Sequence, residues 1–464
     1  MEFTVRPISE PRKGTSMPAS HVEIGSVKLM RWLNARKLTV SAFSAAIGVD
    51  AAQVEAGLGG DVLRWEPGLA TRAAEALDVG VEQLAVVPAA ETAVHLSAAA
   101  SRAGSRVVRR GGIDFYVYYS LAGPRGQVAP VILDILCPPG RLPELNRGHL
   151  EPAITVNLGP GDINGRWGEE LTGDTWSVLA ANTGEDRWIT GDSYVEPSFC
   201  PHTYSLVGDE PARILSYTGA SPLAGLVDRA DTWPAESFAA LLDDVGERLE
   251  PAGILAQAMR RRAFDVKTLC SAAGVDERSV GDFLGGADSL DLAALRRGGA
   301  TVHCDYRLLL PVDVVRDGVG KSSRTIQESK DSIRSFGEYV VADLAGSPSA
   351  PDLLGTFLLV DRAEHGELTD LRDQAATFYL VTSGTATAHW WTGGEVRRQE
   401  LGQWDSLWIG PGVAHGFTGQ AGLLRMGDAS SYSYADTLEL TNTYRPAWTL
   451  GRARHDRQGW GYDR

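Results

Sequence analysis

Leu38 to Gly60 reads LTVSAFSAAIGVDAAQVEAGLGG and Phe264 to Gly286 reads FDVKTLCSAAGVDERSVGDFLGG, and the two stretches align without a gap. Such self-similarity marks a duplicated unit. Each copy begins with apolar residues at helical spacing, passes through Gly48-Val-Asp50 or Gly274-Val-Asp276, and continues into a second amphipathic stretch that ends in Leu-Gly-Gly. The pattern predicts helix-turn-helix units, with Gly48 and Gly274 taking the left-handed backbone at the tight turn.

Outward from each copy the rhythm changes to short strands. Val131 to Cys137, Ile154 to Leu158, Ser177 to Ala181 and Arg213 to Tyr217 are apolar or alternating runs between Pro-Gly, Gly-Pro-Gly and Thr-Gly-Glu-Asp turns. Phe357 to Val360, Phe378 to Thr382, Ser406 to Ile409 and Leu423 to Met426 repeat it near the C-terminus. Many short strands with dense turns predict a sandwich or small barrel. The expected fold is mixed α and β: a tandem repeat of a helix-turn-helix-like helical domain plus a cupin (jelly-roll) β-barrel. The boundaries expected are an unstructured N-terminus over 1–24, a helical domain over 25–108, a catalytic barrel over 109–222, a connector and second helical domain over 223–330, and a degenerate second barrel over 331–464.

Composition narrows the functional classes. Among 464 residues, 44 basic against 59 acidic side chains give a formal net charge of −15, which opposes attraction to nucleic acid or anionic membrane. Cys137, Cys200, Cys270 and Cys304 are widely spaced with no CxxC pair, so neither a disulfide framework nor a thiolate zinc site is expected. A reducing cytoplasm fits. Met1 to Met17 lacks the basic, apolar, cleavable order of an export signal, and no run is long enough to span a bilayer.

Three passages of the first barrel carry candidate chemistry: Asn146-Arg-Gly-His149-Leu-Glu-Pro, Gly159-Pro-Gly-Asp-Ile-Asn-Gly-Arg-Trp167-Gly, and Gly191-Asp-Ser-Tyr-Val-Glu196-Pro-Ser-Phe-Cys-Pro-His202. In a cupin barrel a histidine from one strand and an acid plus a histidine from a neighbour converge in the mouth. Two imidazoles and one carboxylate leave three adjacent coordination positions open, which suits non-haem Fe(II) and O2. Taken singly, each residue has a plainer reading as a turn cap, an arginine partner or a core histidine. Two of only nine histidines falling at the two ligand positions favour the metal.

The second barrel offers an internal control. Asp405-Ser406 matches Asp192-Ser193 and His415 matches His202, but Ile409 stands where Glu196 stands, and Leu371-Arg-Asp-Gln lies near the place of His149. That barrel is expected to be structural. Arg109-Arg110 with Tyr116, Tyr118 and Tyr119 precedes the first barrel, and a guanidinium fork with phenol hydroxyls suits a small anion. A solvated basic turn with packed aromatics explains the same residues equally well.

Longer stretches resemble the hydroxyethylphosphonate dioxygenase family, a relative of methylphosphonate synthase. They run from Trp32-Leu-Asn-Ala-Arg-Lys37 through Asp114-Phe-Tyr-Val-Tyr118-Tyr, Leu133-Asp-Ile-Leu-Cys-Pro, Gly148 to Glu170 and Trp188 to Ser198, to Glu439-Leu-Thr-Asn-Thr and Gly459-Trp-Gly-Tyr-Asp. The resemblance implies a double cupin that holds Fe(II) through His149, Glu196 and His202. It implies a phosphonate pocket of Arg110, Tyr118, Asn146, Ser216 and His202, with Lys37 reaching in from a helical domain; the matching place in the second helical copy is Ala263. The implied reaction is O2-dependent cleavage of the carbon–carbon bond of 2-hydroxyethylphosphonate to hydroxymethylphosphonate and formate, without 2-oxoglutarate, in phosphonate antibiotic biosynthesis. Methylphosphonate synthase acts on the same substrate and is the alternative outcome. A homo-oligomer is the expected assembly.

Two rivals come from other classes. A helix-turn-helix joined to a cupin also describes transcription regulators, whose second helix enters the major groove. Here that helix opens Asp50-Ala-Ala-Gln53-Val-Glu, or Asp276-Glu-Arg-Ser in the second copy, with the wrong sign for phosphates. A metal-free double cupin that only stores a ligand is the other, and it requires that His149 and Glu196 fail to converge.

Overall fold

The structure is a computed structural model that describes residues 21–86, 92–101, 106–110, 112–124, 127, 129–141, 145–168, 189–221, 223–245, 250–286, 290–311, 320–348, 350–366 and 368–459. The chain forms two compact units, one of residues 1–91 with 435–464 and one of residues 92–434.

The first unit holds β1 (Val22–Gly25), α1 (Ser26–Arg36), α2 (Val40–Ile47), α3 (Ala51–Leu58), β2 (Val62–Trp65), α4 (Pro67–Leu77) and α5 (Val81–Leu84). Its core is the apolar stripe of these helices, including Leu29, Leu33, Phe43, Ile47, Val54 and Leu77. The turn has its expected chemistry: Thr39 Oγ1 accepts from the Ala42 N–H at 2.9 Å, and Gly48 closes α2 with φ 73°. Asp50, read above as the wrong charge for DNA, accepts from the Ala52 N–H at 2.9 Å as the cap of α3. Of the segment expected to lack structure, residues 1–20 lie outside the described residues. Residues 22–25 are a strand, because Val22 pairs with Trp65 and Gly25 with Val62.

The second unit begins with β3 (Val94–Ser97), β4 (Arg106–Arg110), β5 (Ile113–Ser120), β6 (Val131–Ile135), β7 (Ala153–Pro160), β8 (Ile163–Trp167), β9 (Ser193–Glu196), β10 (His202–Leu206) and β11 (Ala212–Thr218). The run expected over Ser177 to Ala181 lies outside the described residues. Helices follow: α6 (Ala224–Ala230), α7 (Ala235–Val245), α8 (Pro251–Arg261), α9 (Val266–Ala273), α10 (Glu277–Leu284) and α11 (Leu292–Thr301). The chain continues through β12 (Ser322–Arg324), α12 (Ile326–Asp331), β13 (Arg334–Phe336), β14 (Tyr339–Asp343), β15 (Leu354–Arg362), β16 (Thr377–Thr392), β17 (Glu395–Leu401), β18 (Ser406–Ile409) and β19 (His415–Gly427). Two helices, α13 (Tyr434–Thr441) and α14 (Pro446–His455), end it.

A seven-stranded sheet of order β12-β9-β7-β11-β6-β5-β4 and the pair β10-β8 enclose the first barrel core, with Phe115, Tyr116, Leu133, Trp167, Tyr204 and Ile214 between them. The second barrel is an eight-stranded sheet, β13-β14-β15-β19-β16-β18-β3, with β17 beside β16. Strand alternation sorts the faces. Thr155 and Asn157 share one face of β7, while Ile154 and Val156 join Leu215, Tyr217, Phe378 and Met426 in a cluster between the barrels.

The sequence boundaries need one correction. β3, from the segment assigned to the first helical domain, pairs with β18 of the second barrel; β12, from the second helical segment, pairs with β9 of the first. The β9 edge of the first barrel and the β18 edge of the second are thereby covered. The last stretch also ends in helices, and residues 435–464 belong to the unit of residues 1–91.

The Asp-Ser pair common to both barrels is the fastening. Ser193 Oγ accepts from the Ala345 N–H at 2.8 Å and Ser406 Oγ from the Ala122 N–H at 2.9 Å. Asp192 Oδ1 accepts from the Ile326 N–H and Asp405 Oδ1 from the Ala99 N–H, both at 2.7 Å. The duplication is expressed as reciprocal bonds between barrels.

Candidate active site

Glu196 ends β9, His202 begins β10, and His149 lies on the loop leading to β7. The loop turns at Gly148, whose φ is 71°, a conformation open to glycine and strained for other residues. A Cβ there would also run into the Phe199 backbone.

These side chains converge. His149 Nε2 and His202 Nδ1 each lie 3.3 Å from Glu196 Oε1, and one ligand atom from each residue lies within 4.8 Å of the others. Donors about 2.1 Å from an ion and at right angles are about 3.0 Å apart, a separation close to that of His149 Nε2 and Glu196 Oε1. Glu196 is 1% exposed and His149 28%, so the site opens on the His149 side.

Surrounding groups fix each donor. His149 Nδ1 lies 2.5 Å from the Glu151 carbonyl, so the Nδ1–H donates and Nε2 keeps its lone pair. Burial opposes the charged His149 ring, but Glu196 and the Glu151 carbonyl outweigh it and raise its pKa. The Trp167 Nε1–H donates to Glu196 Oε2 at 2.9 Å, leaving Oε1 toward the histidines. His202 Nδ1 is 3.0 Å from the Cys200 carbonyl and Nε2 is 2.8 Å from Asn146 Nδ2. Two imidazoles and a carboxylate, with Glu196 and His202 buried and His149 partly so, make a potential Fe(II) site.

Residues 102–219 match the 2-hydroxyethylphosphonate dioxygenase cupin-like domain. The 2-hydroxyethylphosphonate dioxygenase of Streptomyces viridochromogenes is 47% identical over 444 residues, 95% of this chain and 100% of that protein. The chain belongs to the 2-hydroxyethylphosphonate dioxygenase family. Among solved structures of the family, a cadmium complex with hydroethylphosphonate is 45% identical and covers 93% of this chain and 100% of its own, with a TM-score of 0.78. A dioxygenase variant is 45% identical, covers 92% and 100%, and has a TM-score of 0.81. The Streptomyces albus enzyme with 2-hydroxyethylphosphonate and Fe(II) is 20% identical, covers 94% and 98%, and shares the fold at a TM-score of 0.78.

The other residues expected to line this family member's pocket are distributed unevenly. Asn146 Oδ1 accepts from the Gly148 and His202 N–H groups, both at 2.9 Å, so its amide is held beside His202. Tyr118 packs against the first barrel core, its ring 6.0 Å from Tyr116. Ser216 Oγ accepts from Thr155 Oγ1 at 3.3 Å. Arg110 ends β4, with its backbone level with Ile113; its side chain lies outside the described residues. Arg109 forms an exposed ion pair with Asp114 at 2.5 Å. Lys37 belongs to the first unit, where it closes α1 with φ 60°; Ala263, which follows the capping Arg262 of α8, has the similar φ of 57°.

In the second barrel no matching metal set is found among the described residues. His415 is buried, with Nδ1 2.8 Å from the Val413 carbonyl and Nε2 2.7 Å from the Tyr379 hydroxyl, and burial pushes its pKa down to about 4. Asp373, near the place of His149, pairs with Arg425 at 2.7 Å. The Gly-Arg-Trp167-Gly sequence gives Trp167 no evident role, since only the closure of the barrel brings β8 to Glu196.

Proposed function

We propose that the protein is an Fe(II)- and O2-dependent dioxygenase that cleaves the carbon–carbon bond of 2-hydroxyethylphosphonate to hydroxymethylphosphonate and formate. His149, Glu196 and His202 are the ligands in this reading, and Lys37, Arg110, Tyr118, Asn146 and Ser216, with His202, receive the phosphonate. The observation that carries it is the meeting of these three donors inside a barrel of this family.

When bound, iron supplies O2 activation and the redox chemistry. The protein's own part is orientation and exclusion of water. Glu196 is held by Trp167 so that one oxygen serves the metal, while His149 is held by the Glu151 carbonyl with the lone pair on Nε2. The Asn146 amide, locked by two backbone N–H groups, presents its NH2 next to His202 as a fixed donor for an anionic oxygen. Arg110 and Lys37 supply the charge that a phosphonate dianion needs.

Among the described residues no helix is long and apolar enough to cross a membrane, and we carry the cytoplasmic placement as part of the proposal. Exposed Trp233, Phe238 and Leu242 on the connector supply apolar surface for the proposed homo-oligomer. The reading is tested by titrating the anaerobic Fe(II)-loaded protein with 2-hydroxyethylphosphonate. Saturable one-to-one binding, weakened at least about tenfold in Arg110→Ala, supports it. Unchanged binding in Arg110→Ala removes that residue from the pocket.

A further inference from the structure

Lys321 is only 1% exposed, a state that lysine almost never adopts without specific partners. Its ammonium donates to Ser323 Oγ at 2.7 Å and stands 4.7 Å from the centre of the Trp167 ring. The N–H of that same ring donates to Glu196 Oε2.

Strand register explains the placement. β12 runs antiparallel to β9 with Ser323 opposite Tyr194 and Ser322 opposite Val195. One further step brings Lys321 level with Glu196, and opposite residues share a face of the sheet. The second barrel is the control. There β3 takes the place of β12, with Leu96 opposite Leu407, His95 opposite Trp408 and Val94 opposite Ile409. Ile409 stands where Glu196 stands. A lysine thus faces the acid in the barrel that has one, and a valine faces the isoleucine in the barrel that does not.

We propose that Lys321 is a positioning residue for Glu196 and acts through Trp167. A cation against the indole face polarises the ring and strengthens its N–H as a donor to Oε2. The carboxylate is thereby kept single-ended, with Oε1 directed to the histidines. The inference rests on the metal-ligand reading above.

The test is anaerobic Co(II) titration of the full chain, read by visible absorption, which reports both affinity and ligand geometry. Lys321→Met should weaken Co(II) binding about tenfold or more and change the spectrum, as loss of an outer partner of a ligand does. Lys321→Arg, which keeps the cation, should restore most of the affinity. Trp167→Phe should match Lys321→Met, and the double variant should be no worse than Trp167→Phe alone. If Lys321→Met does not fold by near-ultraviolet circular dichroism, Lys321→Gln takes its place in the cycle. Wild-type affinity and spectrum in the neutral variant, or additive losses in the double variant, would overturn the proposal. Failure of the unaltered protein to bind Co(II), or full binding by Glu196→Ala, would instead overturn the ligand reading.

Discussion

The Phe199 N–H donates to the His149 carbonyl over 2.6 Å, tying the loop of one metal-site histidine to the turn between Glu196 and His202. Both sides of the contact take left-handed backbone, Gly148 at φ 71° and Phe199 at φ 58°. This backbone contact holds the two ligand-bearing segments against each other, the kind of support that a precise site needs.

Gly148→Ala tests this contact. The added methyl meets the Phe199 backbone and the backbone angle disfavours it, so thermal unfolding should show a loss of about 1–3 kcal/mol. Metal affinity should fall with it. An unchanged melting curve would show that the turn relaxes freely.

Asn146 separates scaffold from recognition. Asn146→Ala strips the acceptor from two backbone N–H groups and should cost about 1–3 kcal/mol in denaturant unfolding. Asn146→Asp keeps that acceptor and should stay closer to the original stability. Its extra negative charge should nevertheless raise the KM for a phosphonate, so steady-state kinetics of the two variants should diverge.

The reciprocal serines predict a stability effect remote from the metal. Ser406→Ala leaves the buried Ala122 N–H without its acceptor, and calorimetry should register about 1–3 kcal/mol of destabilisation. Metal affinity should not move. A shifted metal Kd in Ser406→Ala would mean that the second barrel shapes the site.

His415 gives the pH dependence. Its folded pKa of about 4 lies below the ordinary value of 6.5, so between these values the unfolded chain binds the extra proton. This contribution is present above about pH 6.5, declines as pH falls toward 4, and amounts to roughly 3 kcal/mol. His415→Gln should flatten the fall in melting temperature across that window. An equally steep fall would assign acid sensitivity to other groups.

Much of this was legible in the sequence because the signals are local or duplicated. The helix-turn-helix copies follow from the two matching stretches and from Gly48 and Gly274 at their turns. The metal candidates follow from two histidines and an acid in the His149 and Glu196 to His202 passages, at the places where a cupin barrel puts its ligands. Comparing the two barrels separated Glu196 from Ile409, and it also aligned Asp192-Ser193 with Asp405-Ser406, whose purpose is non-local bonding between barrels. Lys321 gave no signal, because its meaning lies in the pairing of β12 with β9, across more than a hundred residues of chain. The strand exchange was hidden for the same reason. Local patterning finds strands, while register and crossover depend on packing.

The most direct measurement of the central claim is anaerobic loading with Fe(II), addition of O2 and 2-hydroxyethylphosphonate, and product analysis by phosphorus and carbon NMR. Hydroxymethylphosphonate with formate, lost in Glu196→Ala, is the predicted result. Methylphosphonate as the product, or no conversion by protein that holds iron one-to-one, would contradict it.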